Sequence, residues 1–94
     1  MKIVKVSACI IDPQISKEEQ MNYLKGYSDA ENLELIGFCE SLEEAAQMNV
    51  DAILLLQLES LGTRTLIQVE DLVQRSGKKL IFARNHHLQQ MNAI

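Results

Sequence analysis

Two short stretches carry the side chains that could do chemistry. "VKVS" at 4–7 contains Lys5 and Ser7, and "QLESLGTR" at 57–64 offers Glu59, Ser60, Thr63 and Arg64. A serine hydroxyl with a cation and a carboxylate nearby is the raw material of a nucleophile, provided that a base or a strongly electropositive site activates it. Lys5 and Glu59 are the bases such a site would use, and Gln20 is expected within reach of the same residues. Neither His86 nor His87 is placed to help. Adjacent histidines do not converge on one ion, and no third ligand accompanies them, so no metal is expected, and no organic cofactor either.

Those residues need a frame. Residues 2–10, rich in Ile and Val, read as a first strand. Ser16 with Glu19 three residues on forms a capping box and predicts a helix over 17–29, with Met21, Leu24 and Tyr27 turned to the core. A second strand follows at 33–38, and the pair Ser41 and Glu44 opens a short helix over 42–48. The apolar run within 51–57 suits a buried third strand. Leu66, Val69, Leu72 and Val73 fall at helical spacing, with Gly77 as the C-cap glycine, so a helix is expected over 65–76. Residues 78–83 form the fourth strand.

The order β-α-β-α-β-α-β implies a single three-layer, doubly wound α/β domain over 1–83, with a mainly parallel four-stranded sheet and right-handed crossovers. Residues 84–94 read as a tail or a short helix. In open α/β sheets, ligands bind beyond the carboxyl ends of the strands. Strands 1 and 3 should be neighbours, so the loops at that edge are expected to gather Ser7, Gln20, Glu59, Ser60, Thr63 and Arg64.

Bulk properties narrow the function. A chain of 94 residues, 47% hydrophobic and 23% charged, is one ordinary globular domain. Its longest uninterrupted apolar run, 52–56, is far short of the roughly 20 residues that span a bilayer. The N-terminus lacks the pattern of a secretory signal, which predicts a cytoplasmic protein without membrane attachment. Cys9 and Cys39 have no metal-ligand spacing and read as two buried, reduced thiols. The net charge of −4 disfavours DNA as a main partner, and the local basic group of Lys78, Lys79, Arg84, His86 and His87 reads as a solvated edge.

Three stretches carry a family resemblance: "VKVS" at 4–7, "SKEEQMNYLKGYSDAENLELIGF" at 16–38 and "DAILLLQLESLGTR" at 51–64. Together they resemble the N-terminal catalytic domain of resolvase/invertase-type serine recombinases. In that family the first strand ends in a Y-x-R-V-S motif whose Ser attacks a DNA phosphate and whose Arg holds it. A Gln follows on the first helix, and an Asp and two Arg in the loop after the third strand complete the site. The resemblance aligns Ser7 with the nucleophile, Gln20 with the helix glutamine, Glu59 with the aspartate, and Leu58, Leu61 and Gly62 with the loop framework.

The departures bear on activity. Lys5 replaces the phosphate-holding Arg, Ser60 and Thr63 replace the two loop Arg, and Arg64 is displaced by one position. Lys cannot reproduce the two-pronged guanidinium grip, and Ser and Thr supply no charge. Losing a single preorganised donor typically costs about 10² to 10³ in rate. The resemblance therefore implies a catalytically inactive recombinase-like domain that works as a protein-interaction or regulatory module, with Ser7, Lys5, Gln20, Glu59 and Arg64 as remnants of the site. The alternative under the same resemblance is an accessory or active recombination protein that uses Ser7.

"ENLELIGFCESLEEAAQMNVDAILLL" at 31–56 also looks like the middle of a response-regulator receiver domain. That family requires an acidic cluster after strand 1 and a phosphorylatable Asp at the end of strand 3. Asp12 is the lone acidic residue in the first place, and Leu56 or Gln57 occupies the second, which implies a pseudo-receiver signalling module. A protein partner or self-association is expected; for self-association, 66–74 ("LIQVEDLVQ") and 87–94 ("HLQQMNAI") are the candidate surfaces.

Overall fold

A computed structural model describes residues 3–62 and 66–84 of the chain. The strands are β1 (Val4–Cys9), β2 (Leu33–Cys39), β3 (Ala52–Leu55) and β4 (Lys79–Phe82), and the helices are α1 (Lys17–Ala30), α2 (Leu42–Gln47) and α3 (Leu66–Ser76). A 3-10 turn over Leu58–Leu61 follows β3. The sheet is entirely parallel, in the order β2-β1-β3-β4. This is the doubly wound three-layer α/β plan.

Local chemistry sets the helix ends. Ser16 caps α1 by accepting from the Glu19 amide at 3.1 Å, and Ser41 caps α2 by accepting from the Glu44 amide at 3.0 Å. Each hydroxyl satisfies an N–H that has no partner within its helix, a gain typically of about 1 kcal/mol. At the far end of α3, Gly77 takes φ 73° and its amide donates to the Val73 carbonyl at 2.9 Å. That left-handed turn is one a Cβ would oppose.

The core forms one layer on each side of the sheet. On one face Val6, Ala8, Leu24, Ala52, Leu54 and Leu56 pack with α1. On the other, Cys9, Cys39, Leu42, Ala45, Ile53, Leu55 and Val69 pack with α2 and α3. Val6 and Ala8 alternate with Ser7 and Cys9, as the two-residue period of a strand demands. All four residues of β3 are buried, because it is a central strand covered on both sides. Leu54→Ala would open a cavity there at a cost of about 2–5 kcal/mol.

Two expectations need correction. α1 does not bury Met21, which is 36% exposed; its inner face is Gln20, Leu24 and Ser28. Two polar residues are tolerated inside because both are satisfied: Ser28 donates to the Leu24 carbonyl at 2.9 Å, and Gln20 is held by the loop described below. Nor does Ser7 reach the loops beyond the strand ends: it lies mid-strand, paired with Gly37 and Ile53. A further irregularity lies in β2, where Val6 pairs with Leu35 but Ser7 pairs with Gly37, so Ile36 is a bulge residue and is 46% exposed. Among the described residues no helix is long and apolar enough to cross a membrane.

Candidate functional site

The strand order places β1 beside β3 at the centre of the sheet, and the chain leaves β1 into α1 on one face and β3 toward α3 on the other. Such a reversal opens a crevice beyond the carboxyl ends of the two strands, where ligands of doubly wound proteins bind. Here polar side chains from the two loops bond to one another at that position.

Asp12, in the loop after β1, is the centre of the cluster and is only 5% exposed. Its Oδ1 accepts from the Gln14 amide at 2.9 Å, the local turn that Asp readily makes with the backbone two residues on. Its Oδ2 accepts from Gln57 Nε2 at 2.8 Å and from Ser60 Oγ at 3.0 Å, both from the segment after β3. Burial alone would raise the carboxyl's pKa. The Gln14 amide, the Gln57 amide, the Ser60 hydroxyl and the positive charge of Arg84 together outweigh it and hold the group below its ordinary value. Asp12 is thus a charged, internally ligated carboxylate.

Gln20 fixes the loop from the other side. Its Oε1 accepts from the Asp12 amide at 3.2 Å, while its Nε2 donates to the Asp12 carbonyl at 3.0 Å and to the Ile15 carbonyl at 2.8 Å. One buried amide on the first turns of α1 therefore holds the backbone whose carboxylate is held by the segment after β3. Arg84, just past β4, bonds its amide to the Leu56 carbonyl at 2.7 Å and sets its guanidinium carbon 5.8 Å from the centre of the Tyr23 ring. Among the described residues no buried side-chain nitrogen or oxygen is left without a partner.

The residues expected from the sequence divide. Gln20 and Ser60 converge, and they do so on Asp12. Ser7 does not join them: it is fully buried beneath α2, with its Oγ donating to the Ala45 carbonyl at 3.5 Å. Lys5 is exposed two residues earlier on the strand, farther from the crevice, with its amide on Asp51 Oδ2 at 3.0 Å. Glu59 is exposed on the 3-10 turn. Thr63, Arg64, His86 and His87 lie outside the described residues, as does the segment 85–94.

The residue undervalued in the sequence is Gln57, whose contact with Asp12 joins positions 45 apart in the chain. The available signal was positional: an Asp at the exit of strand 1 and a Gln and a Ser at the exit of strand 3.

Cys9 and Cys39 are buried thiols. Cys9 Sγ donates to the Ser41 carbonyl at 3.3 Å, and Cys39 Sγ lies 3.0 Å from Met48 Sδ. Burial, reinforced by the charge of Glu44, raises the Cys39 pKa, which disfavours its reactive thiolate. Among the described residues no group of three or more His, Cys, Asp or Glu is arranged to hold a metal ion.

The arrangement can order two loops; among the described residues it presents no exposed nucleophile beside a base. Compared with known proteins, the chain matches no family model, no curated protein and no solved structure.

Proposed function

We propose that this domain is a catalytically silent regulatory module that acts through protein contacts, with the layout of a receiver domain and without its phosphoryl acceptor. One observation carries the reading: the Asp12 carboxylate is closed by Gln57 and Ser60 across the ends of β1 and β3. A receiver requires an acidic residue after the first strand and a phosphorylatable Asp at the end of the third. Gln57 holds the second place, and a carboxamide cannot form an acyl phosphate. Its amide instead donates to the one acid of the pair that is present.

A second reading is a recombinase-like domain that has lost strand exchange. Gln20 favours it, because that side chain binds the loop after β1 from the first helix. Under this reading Ser7 is a small polar residue of the sheet interior, because attack on a phosphate would require it to leave its place beneath α2. An accessory or active recombination protein would need that movement too.

Intact-mass spectrometry after two exposures tests the proposal. Incubation with a small acyl phosphate and Mg²⁺, and separately with nicked duplex DNA, should leave the mass unchanged. A phosphoryl adduct, or a DNA adduct lost in Ser7→Ala, would overturn catalytic silence.

A further inference from the structure

The two edge strands carry opposite charges at matching places. β4 reads Lys78-Lys79-Leu80-Ile81-Phe82-Ala83-Arg84 with its flanks, and β2 reads Glu34-Leu35-Ile36-Gly37-Phe38-Cys39-Glu40. Each has charged residues at its ends and an apolar middle. Among the described residues β4 is paired only with β3, and β2 only with β1, so each has one side without a strand. We propose that the β4 edge of one molecule pairs with the β2 edge of a second copy, side by side and parallel, extending the sheet from molecule to molecule.

Register supports the fit. Through the intervening strands, Lys79 stands level with Ala52, Val6 and Leu35, and Phe82 stands level with Leu55, Cys9 and Cys39. A parallel neighbour at the same height sets Lys78 beside Glu34 and Arg84 near Glu40. The Ile36 bulge shortens β2 by one residue, about 3.3 Å, a difference the long Arg84 side chain spans.

Faces agree as well. Ile81 and Ala83 belong to the α1 layer, as do Leu35 and Phe38, so the half-buried apolar stripes of the two edges would join on the same side. Arg84 stacks on Tyr23 of α1, and Glu40 pairs with Lys17 at the start of α1, which puts both charges on that face. Arg84, Glu34 and Glu40 are exposed, and Lys78 is partly so.

The same charges disfavour the alternatives. Pairing β4 with β4 sets Lys and Arg together, and β2 with β2 sets Glu against Glu; like charges directly across a strand pair are destabilising. Only the unlike edges match. Such a contact is head-to-tail, so it builds chains rather than stopping at a dimer. This inference stands apart from the proposed function: a wild type that fails to assemble would leave the contacts of Asp12 with Gln57 and Ser60 as they are.

The test uses the full chain in sedimentation velocity over a concentration series. The wild type should pass from monomer to species beyond dimer, with the concentration for half-assembly rising about tenfold from low to 0.5 M salt. Lys78→Glu with Arg84→Glu should remain monomeric, and Glu34→Lys with Glu40→Lys should too, while an equimolar mixture of the two variants should assemble again. Neutral variants, Lys78→Gln with Arg84→Gln, serve if circular dichroism shows a reversed-charge protein to be unfolded; they too should assemble weakly. A wild type monomeric throughout, variants that assemble alone, or a mixture that does not recover would each overturn the proposal.

Discussion

Gln57 Nε2 donates to Asp12 Oδ2 at 2.8 Å across the carboxyl ends of β1 and β3. An amide and an acid thereby meet where a doubly wound sheet has its binding crevice. Because Ser60 shares the same oxygen and Gln14 holds the other, the carboxylate acts as a tie between the loop after β1 and the segment after β3.

Removing that tie should be felt in stability. Asp12→Ala leaves the Gln14 amide, the Gln57 amide and the Ser60 hydroxyl without their acceptor, and is expected to cost about 2–3 kcal/mol. Asp12→Asn should cost less, since Gln57 can rotate its amide to accept from the new side chain. Urea unfolding of the three proteins, compared at equal slope, measures both effects.

The same carboxylate gives stability a pH dependence of known sign. Its folded pKa is depressed, so the unfolded chain takes up the proton more readily than the native one. The stabilisation is complete above the unfolded value and is lost as pH falls through the folded one. The gap in unfolding free energy between wild type and Asp12→Asn should hold steady from about pH 5 to 7 and narrow below about pH 4.

Gln20 should tolerate no acid. Gln20→Glu keeps the acceptor for the Asp12 amide but loses the donor to the Asp12 and Ile15 carbonyls, and it brings a buried negative charge toward a carboxylate. It should destabilise more than Gln20→Ala, itself a loss of about 2 kcal/mol. Denaturation at pH 7 ranks the two, and the difference should shrink in acid as the introduced carboxyl protonates.

Gln57→Asp tests the receiver-like geometry by putting a second carboxylate beside the first. Without a divalent cation the two acids repel, and stability should fall by about 1–3 kcal/mol. Millimolar Mg²⁺ should recover part of the loss by binding oxygens from both, while leaving the wild type unchanged at matched ionic strength. Thermal unfolding with and without Mg²⁺ reads the difference.

The element order was legible because its signals are local. Ser16 with Glu19, Ser41 with Glu44, and Gly77 each mark a helix end by chemistry confined to a few residues, and each does so in the structure. What stayed hidden depends on distant partners. Apolar spacing in α1 picks out Leu24 and Tyr27, which do pack on the core, and Met21, which does not; Gln20 and Ser28 are buried because hydrogen bonds make their burial tolerable. By sequence Ser7 groups with the strand-end loops, yet it lies inside a strand that runs on to Cys9, and the loop beyond presents Asp12 instead. The contact of Asp12 with Gln57 exists only after β1 and β3 are neighbours.

The most direct measurement follows the Asp12 carboxyl carbon by NMR through an acid titration, in wild type and in Gln57→Ala. The contact of Gln57 with Asp12 predicts a midpoint below the ordinary value of 3.8 in the wild type and a rise toward it when Gln57 is truncated. A wild-type midpoint at or above that value, unmoved by the substitution, would contradict the account, because it would mean that Gln57 does not hold the carboxylate and that the crevice is open to a ligand.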